Sequence, residues 1–478
     1  MCTKNYPQFE IPVDSLANTY SSTTYLHKNY NFLHLHFSTP TLKIRFMPVL
    51  QIPSIIEPAN AATLAFIKEN SQLKPSKAAL KAPRNSNIDL YFAINQIAGK
   101  QIAQQKLPKW ASCEEVIYPA HISMEQCSSQ ITAQYKADFA KDLLSSTHKT
   151  TSTLVDLTGG FGVDCTIMAE YFDSAICIEQ QNELSSIAQH NMKALGINNV
   201  KCYNNNSLDA LNNISSATMI YIDPARRDAQ GSRTYAIEDC TPNVLELKDS
   251  LLKKSSLVMI KLSPMLDWHK AVSDFCGNVS SVHIVAHNNE CKELLIILDN
   301  NIHTKIPVYC VNDNQRIVVQ ANYDSSTKQV TIQSESNETG YENQKIAIPK
   351  IQNWQDWAQY VYEPNAAIMK VGCFSVLEEK YGIQQIGSNS HVCVSEKYNA
   401  DFPGKIWKIE GVCSMNKREL KKTLGDITHA NIVTRNFPVS SEALRKRLKI
   451  QDGGNIRIIA TTDMNNNHVI IRAIAKSE

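Results

Sequence analysis

Acidic residues stand where three buried strands of this sequence are expected to end. Asp156 follows the apolar run Thr153–Val155, and Glu179 closes the next such run. Asp223 ends a third run and is followed directly by Pro224. The carboxyl ends of parallel strands meet at one edge of a sheet, where nucleotide ligands bind. These side chains are therefore candidates for a common ligand site.

The turn that follows Asp156 is rich in glycine and leads into a predicted helix. Glycine lets the backbone approach a ligand and adopt conformations that side chains forbid. A dinucleotide site requires Gly-x-Gly-x-x-Gly, but Cys165 stands in the third place, and Asp156 would repel a diphosphate. The acid instead suits a zwitterionic ligand with a cationic amine, such as S-adenosylmethionine. The residues assigned to this cofactor at the turn are Asp156, Thr158, Gly159, Gly160 and Gly162.

Glu179 provides the second candidate contact with the cofactor. A carboxylate at this strand end accepts hydrogen bonds from both ribose hydroxyls. Sites for NAD and for S-adenosylmethionine share such an acid, so Glu179 alone does not discriminate between them. Its combination with Asp156 favours S-adenosylmethionine.

The residues after the third acid are the candidates for substrate contact. Asp223 and Pro224 would point a carboxylate and a carbonyl toward the methyl group of a bound cofactor. Arg226 and Arg227 follow at once; they either fork onto phosphate or carboxylate oxygens of a substrate or pair with nearby acids and brace the loop. Lys261, near the end of the fifth predicted strand, has either a substrate-binding or a structural role.

Alternating strands and helices are expected to position these residues. The predicted strands are 153–157, 174–179, 199–203, 217–222, 255–262, 281–286 and 293–299, and helical periodicity covers 163–172 and 183–195. This alternation predicts an α/β fold with a doubly wound, Rossmann-like parallel sheet. The last two strands are separated by a turn too short for a crossover helix, so they must pair antiparallel.

The sequence divides into five predicted parts. These are a poorly defined extension over 1–46, a helical domain over 47–148, the α/β unit over 149–299, a small β-rich (α+β) insert over 300–348 and an α+β domain over 349–478. The extension precedes an internal methionine, Met47. Either Met47 is the true start, or the extension is a short β-rich segment, because Tyr30–Phe46 alternates in polarity.

Composition excludes several classes of protein. The net charge of +2 gives no overall attraction to nucleic acid, so such binding requires a local patch. The thirteen cysteines include no C-x-x-C pair, which argues against a zinc or iron–sulfur site. Free thiols and the absence of an 18-residue apolar run predict a soluble, cytoplasmic protein without metal.

These features together resemble the class I S-adenosylmethionine-dependent methyltransferases, in which one antiparallel hairpin closes a mostly parallel, seven-stranded sheet. More narrowly, the chain is similar to a bacterial group with a helical N-terminal domain and a THUMP-like C-terminal domain. The resemblance extends from about Pro53 to the C-terminus. The segments that carry it are Ser123–Ser129, Thr132–Ala137, Asp156–Asp164, Asp223–Arg227, Lys261–Pro264, Glu363–Lys370, Arg435–Pro438 and Leu448–Gly454.

The resemblance implies RNA, either tRNA or rRNA, as the substrate, because THUMP domains are associated with RNA. It also places Asn206 against the adenine amino group, with Asp209 as an alternative, whereas Asn204 and Asn205 are equally well explained as turn residues. Two departures concern the target base. Ala225 and Arg226 replace the Pro-aromatic pair of amino-methylating relatives, and Leu262–Pro264 lacks the nucleophilic cysteine of 5-methyluridine enzymes. Cys240 is interpreted as a buried structural thiol.

The segment 405–450 contains the local basic patch that RNA would need. It has eleven Lys and Arg residues against four Asp and Glu residues. Lys417, Arg418, Lys421 and Lys422 recur at helical spacing and are predicted to form one basic face. An ordinary solvated helix explains the same pattern equally well.

The sequence therefore supports an RNA methyltransferase that works by in-line displacement at the sulfonium methyl, achieved mainly by positioning. Two alternatives stay open: a methyltransferase of a small molecule or protein, and a non-catalytic RNA-binding protein with a methyltransferase fold.

Overall fold

The computed structural model describes residues 10–11, 35–38, 41–44, 50–83, 86–145, 151–225, 236–333 and 353–475. The chain separates into two compact units. The first comprises Met1–Ala225 with Cys240–Met259, and the second comprises Arg226–Asp239 with Ile260–Glu478. Among the helices of these described residues, none is long and apolar enough to cross a membrane.

Within its described residues, the N-terminal part of the first unit contains a small sheet and six helices. Strands β1–β3 form an antiparallel sheet in the order β1-β3-β2, with β2 and β3 inside the segment whose alternation favoured strands. The strands are β1 Glu10–Ile11, β2 Leu35–Ser38 and β3 Thr41–Ile44. The helices are α1 Ala61–Asn70, α2 Pro75–Lys81, α3 Leu90–Lys106, α4 Pro108–Ala111, α5 His121–Gln126 and α6 Gln130–Ser145.

Local sequence explains where these helices begin. Asn60 and Asp89 accept hydrogen bonds from the first turns of α1 and α3, which satisfies amide groups that a helix leaves unpaired. Helices α2 and α4 begin with proline, which fits the first helical position. The predicted helical content of this region is confirmed. Its independence as a domain stays a prediction.

A parallel sheet forms the rest of the first unit. Strands β4–β7 pair in the order β7-β4-β5-β6, all parallel, and every residue of β7 is buried, as expected for a parallel strand covered on both faces. The strands are β4 Thr153–Asp156, β5 Ser174–Glu179, β6 Val200–Asn204, β7 Ala217–Ile222 and β8 Ser255–Leu262, whose last three residues belong to the second unit. The helices are α7 Val163–Ala169, α8 Asn182–Ala194, α9 Ser207–Asn213 and α10 Val244–Lys254.

The second unit contains the predicted antiparallel hairpin. Strands β9 and β10 pair antiparallel through Asn288 and Asn289, both with positive φ, the conformation that tight hairpin turns require. Strand β11 pairs in parallel with β9, so β11–β13 continue this sheet. The elements are a 3-10 turn Ile237–Asp239, α11 Trp268–Asp274, β9 Val279–His287, β10 Glu290–Asp299, β11 Lys305–Asn312, β12 Gln315–Asp324 and β13 Gln329–Ile332.

Over residues 353–475, the second unit contains a seven-stranded sheet in the order β15-β16-β14-β17-β20-β19-β18. Its alternating residues face two cores: Ile459 and Ile471 pack with Trp354, whereas Ile458 and Ile470 pack under α15 and α16. Near the C-terminus, β19 and β20 form an antiparallel hairpin. The elements are α12 Trp354–Trp357, β14 Tyr360–Pro364, α13 Ala366–Val371, α14 Phe374–Tyr381, β15 Gln384–Gln385, β16 Cys393–Ser395, β17 Gly404–Ser414, α15 Lys417–Leu424, β18 Asn431–Arg435, α16 Ser441–Leu448, β19 Ile456–Thr462 and β20 His468–Ala475.

Candidate functional site

Backbone hydrogen bonds hold the glycine turn at the carboxyl ends of three strands. The amide of Leu157 donates to the carbonyl of Tyr221 on β7 at 3.0 Å, and the amide of Gly159 donates to Ile178 on β5 at 2.7 Å. The amide of Gly162 closes the turn on the carbonyl of Gly159 at 2.8 Å. The turn after β4 is therefore bonded to both neighbouring strands, and these hydrogen bonds fix its position at the sheet edge.

The three glycines are required for different reasons. A side chain at Gly159 would overlap the sulfur of Cys177. Gly162 has a φ of +98°, and an added Cβ would lie 2.7 Å from the terminal carbon of Met192. Gly160 has a φ of +55°, but no described atom lies within 4 Å of the position of its Cβ. Gly159 and Gly162 thus serve packing, whereas Gly160 leaves open space at the edge.

Glu179 is fixed beside that open space by backbone amides. Its Oε2 accepts the Gly160 amide at 2.9 Å, and its Oε1 accepts the Gln181 amide at 2.7 Å. The side chain is buried, and burial raises its pKa although these amides act in the opposite direction. Each oxygen keeps acceptor capacity for a further hydroxyl group. The geometry suits the predicted contact with ribose.

Asp156 is 1% exposed and lies beneath the turn. Its Oδ1 accepts the amide of Thr158 at 2.9 Å. Burial raises its pKa well above the ordinary value, and the charges of Asp164, Asp223 and Glu179 raise it further. Asp156 therefore supports the turn directly, and its contact with a ligand amine stays a prediction. Several acids crowded at one edge favour a cationic ligand, because a positive charge relieves their repulsion.

Thr158 links the glycine turn to the residue that follows β7. Its hydroxyl oxygen accepts the amide of Asp223 at 2.7 Å, so the residue after β7 is held to the glycine turn. Beyond Pro224, Ala225 pairs with Thr241 through two backbone hydrogen bonds of 2.8 and 2.9 Å. These contacts place Asp223 at the same edge as the glycine turn.

The predicted substrate residues are placed less completely. Arg226 and Arg227 lie outside the described residues. Lys261 lies on β8 in the second unit, and its role in substrate binding stays a prediction. Cys240 is buried, as predicted.

Asn206 is engaged in a helix cap. Its Oδ1 accepts the Asp209 amide at 2.8 Å, and its amide group donates to the Asp209 carboxylate. The capping hydrogen bond explains an asparagine at the start of α9 without a ligand. The contact with adenine stays a prediction.

Asn204 is a site residue whose role the sequence did not reveal. Its Nδ2 donates to the carbonyls of Glu179 at 2.9 Å and of Gln180 at 3.1 Å. It therefore holds the loop that carries the ribose-binding candidate. An asparagine that follows a strand was the available signal, but the same pattern is typical of turns.

A buried ion pair lies under the helix that follows the glycine turn. Lys136 on α6 is 0% exposed, and its Nζ lies 3.0 Å from Oδ1 of Asp164, in the first turn of α7. Ser128 and Tyr221 donate hydroxyl hydrogen bonds to Asp164 Oδ2 at 2.7 and 2.9 Å. The positive charge and both hydroxyls compensate the buried carboxylate. This cluster fixes the start of α7 against α6.

Buried thiols lie next to Asp156. One oxygen of Asp156 and the sulfurs of Cys165 and Cys177 lie within 4.8 Å of one another, and Cys202 is paired with Cys177 across β5 and β6. This is the one group of described residues with the spacing of metal ligands. The hydrogen bond with Cys165 and, to a lesser extent, burial raise the pKa of the Cys177 thiol, so a metal would have to displace protons from a closed core. The cluster is better explained as packing under Gly159.

The C-terminal part of the second unit carries the predicted basic face. Lys417, Arg418, Lys421 and Lys422 on α15 are all exposed, whereas Leu424 on the other side of this helix packs into the core. Among the described residues, these four cations have no salt-bridge partner. A solvated helix and an anion-binding face both fit this arrangement.

Comparisons with known proteins agree with this architecture. Residues 404–474 match the family described as THUMP domain-like, and residues 360–403 match a ferredoxin-like domain. The segment predicted as one C-terminal domain thus contains two matched regions. No curated protein matches the sequence.

Solved structures provide the second comparison. The chain is 28% identical to a protein described as a "putative methyltransferase" from Porphyromonas gingivalis W83, with a TM-score of 0.71 over 88% of this chain and 100% of that one. The O-methyltransferase of Bacillus cereus in complex with SAH is 11% identical, with a TM-score of 0.30 over 49% of this chain and all of that one. The first likeness and the THUMP-like match confirm the resemblance on which the sequence analysis relied.

Proposed function

We propose that this protein, which combines a class I methyltransferase fold with a THUMP-like C-terminal domain, is an S-adenosylmethionine-dependent methyltransferase. One observation carries the proposal. No described atom lies within 4 Å of a Cβ placed on Gly160, and the amide of Gly160 donates to the carboxylate of Glu179 beside this space. A ligand there meets a hydroxyl-binding acid and an edge rich in negative charge. S-adenosylmethionine has the matching ribose hydroxyls, sulfonium and ammonium groups.

Different residues at the edge would contact different parts of the cofactor. Glu179 would accept the ribose hydroxyls, and Asn206 would face the adenine. The methionine part would lie along Asp156, Thr158 and the glycines. A cation close to Asp156 would favour its ionised form, because an opposite charge lowers the pKa of a carboxyl group.

The bound cofactor supplies an electrophilic methyl group on a sulfonium sulfur. Asp223, with the Pro224 carbonyl, would orient the substrate nucleophile for in-line displacement, and Thr158 holds Asp223 through its amide. Arg226, Arg227 and Lys261 would hold the substrate. Catalysis by such a site rests on positioning, because correctly oriented reactants need little further activation.

We propose RNA, either tRNA or rRNA, as the substrate class. The support is the match of residues 404–474 to a THUMP-like family and the exposed basic face on α15. Four cations on one helix face can neutralise neighbouring phosphates and release their counterions. A small-molecule or protein methyltransferase would keep the cofactor site but show no salt-dependent RNA binding. A non-catalytic RNA-binding protein would tolerate Asp223→Ala in every methylation assay.

Calorimetric titration with S-adenosylhomocysteine tests the first step. The wild-type protein should bind one molecule, and Asp156→Ala should lose that binding. Binding that is absent from the wild type, or unchanged in the variant, would overturn the proposal. Mass spectrometry of nucleosides from deletion and parent cells tests the second step. The loss of one methylated nucleoside would identify base and atom, whereas identical spectra would contradict an RNA substrate.

A further inference from the structure

The segment Gln51–Ser54, which we call the edge segment, reaches the carboxyl edge of the parallel sheet. The carbonyl of Gln51 accepts the amide of Asn204 at 2.7 Å, and the amide of Gln51 donates to Oδ1 of Asn205 at 2.7 Å. Ser54 donates to Oδ1 of Asn182, at the start of α8, at 3.2 Å. The edge segment is therefore attached to both β6 and α8, more than 120 residues away along the chain.

The same two asparagines are bonded to the loop after β5. Asn204 donates its side-chain amide to the carbonyls of Glu179 and Gln180. The backbone amide of Asn205 donates to the carbonyl of Glu179 at 3.1 Å. A continuous chain of hydrogen bonds thus runs from Gln51, through Asn204 and Asn205, to the residue expected to bind ribose. Asn204 and Asn205 therefore hold both the edge segment and the loop after β5.

We propose that the edge segment forms the border of the adenosine side of the cofactor site, with Asn204 and Asn205 as positioning residues. This inference rests on the proposed function. Two loops that must be correctly placed to bind a ligand cost affinity unless the protein orders them beforehand. The segment also exposes Ile52, at 74% of its surface, and α9 exposes Leu208 at 52%. Ile52 belongs to the edge segment, and Leu208 follows Ser207, whose hydroxyl donates to the carbonyl of Leu157 in the glycine turn at 2.7 Å. Both side chains offer apolar surface of the kind an adenine ring needs.

Calorimetry with two ligands tests the proposal on the full-length protein. S-adenosylhomocysteine contains both the amino acid and the adenosine, whereas 5′-methylthioadenosine lacks the amino acid. Asn205→Ala removes the acceptor for the Gln51 amide, and Gln51→Pro removes the donor. Each loses about one hydrogen bond, so both ligands should bind about three- to tenfold more weakly to each variant.

Three variants serve as controls. Gln51→Ala keeps the backbone donor and should bind as the wild type does. Asn205→Asp keeps the acceptor and should restore binding relative to Asn205→Ala. Asn199→Ala removes hydrogen bonds to Ala169 and Phe172 before β6 begins, and it should leave both affinities unchanged.

The outcomes separate this inference from the proposed function. Wild-type affinity in both Asn205→Ala and Gln51→Pro would overturn the inference while the proposed function stands. Weaker binding of S-adenosylhomocysteine with unchanged binding of 5′-methylthioadenosine would also overturn it, because the effect would then lie on the methionine side. A wild-type protein that binds neither ligand would overturn both. Thermal melting without ligand checks that each variant is folded.

Discussion

The carboxyl edge of the first unit and the basic face of the second use charge in opposite ways. At the edge, Asp156 and Glu179 are buried and held by backbone amides at 2.9 Å or less. On α15, the four cations are exposed and lie on a short helix whose other side is core. A fixed, buried charge can recognise one small ligand with defined geometry. Exposed cations act through their number and suit an extended polyanion.

Substituting Lys136 should give the largest effect on stability and test whether buried charge at the edge is structural. Lys136→Met leaves the Asp164 carboxylate buried without its cation, so we expect a loss of about 3–5 kcal/mol in the free energy of unfolding. Lys109→Met removes the exposed partner of Glu170, which lies directly after α7 and 3.8 Å from the Lys109 ammonium group, and should cost about 0–1 kcal/mol. Urea unfolding of both variants measures the difference. Equal losses would show that the buried pair has no special role.

Two glycine substitutions should give the next largest effect and separate packing from ligand space. Gly159→Ala forces a methyl group onto the sulfur of Cys177 and should cost about 1–3 kcal/mol, because the core is already filled. Gly160→Ala meets no described atom and should cost about 1 kcal/mol for its left-handed backbone, yet weaken the binding of S-adenosylhomocysteine. In a Cys177→Ala background the penalty of Gly159→Ala should shrink. An unchanged penalty would contradict the packing explanation.

Asp156→Asn tests the buried acid through pH. Burial raises the pKa of Asp156, so the folded protein holds the proton more tightly than the unfolded chain does. Wild-type stability from this group is therefore lost as pH rises above the ordinary carboxyl value of about 4. Asparagine has no such proton, so the melting temperature of the variant relative to the wild type should increase from pH 5 to pH 8. A difference that does not change with pH would contradict this account.

The same variant should bind S-adenosylhomocysteine about ten- to a hundredfold more weakly at pH 8, because the cationic amine loses its charged partner. Equal affinity would show that Asp156 only supports the turn.

Removing the basic face should have the smallest effect on stability. Changing Lys417, Arg418, Lys421 and Lys422 to alanine should alter the free energy of unfolding by no more than about 0.5 kcal/mol per site. The salt dependence of RNA binding should fall by about one unit of slope for each phosphate that the variant no longer neutralises. Filter binding at several salt concentrations measures this slope.

A matched variant with Lys68, Lys74, Lys77 and Lys81 changed to alanine removes the same charge from exposed positions on and beside α1 and α2 in the first unit. Its slope should equal that of the wild type. The same reduction in both variants would mean that RNA binding depends on net charge and not on the basic face.

The sequence predicted the parts of the fold that short-range patterns determine. Strands 174–179, 217–222 and 255–262 agree with the structure to the residue, because each contains a buried apolar run and lies between polar turns. The hairpin β9–β10 followed from a turn too short for a helix. The parallel pairing of β11 with β9 could not be foreseen, since it joins strands from separate hairpins and leaves no local pattern.

In the candidate site too, local sequence patterns predicted some features, whereas contacts between distant residues could not be predicted. Asp156, Glu179 and Asp223 could be predicted to lie at one edge, because strand ends converge in any parallel sheet. The pair Lys136–Asp164 joins residues 28 positions apart, and each is unremarkable within its own helix. The hydrogen bonds of Gln51 with Asn204 and Asn205 span about 150 residues. Such pairings arise from tertiary packing, and no spacing of residues in the sequence predicts them.

Binding of S-adenosylhomocysteine to the wild type and to Glu179→Ala tests the central claim most directly. Glu179→Ala removes the acceptor of the Gly160 amide and the acceptor proposed for the ribose hydroxyls, whereas Asn199→Ala is a control before the start of β6. Calorimetry should give one site in the wild type, an unchanged site in Asn199→Ala, and a loss of about ten- to a hundredfold in Glu179→Ala. A wild-type protein that does not bind, or a Glu179→Ala variant that binds equally well, would contradict the assignment of this edge to S-adenosylmethionine.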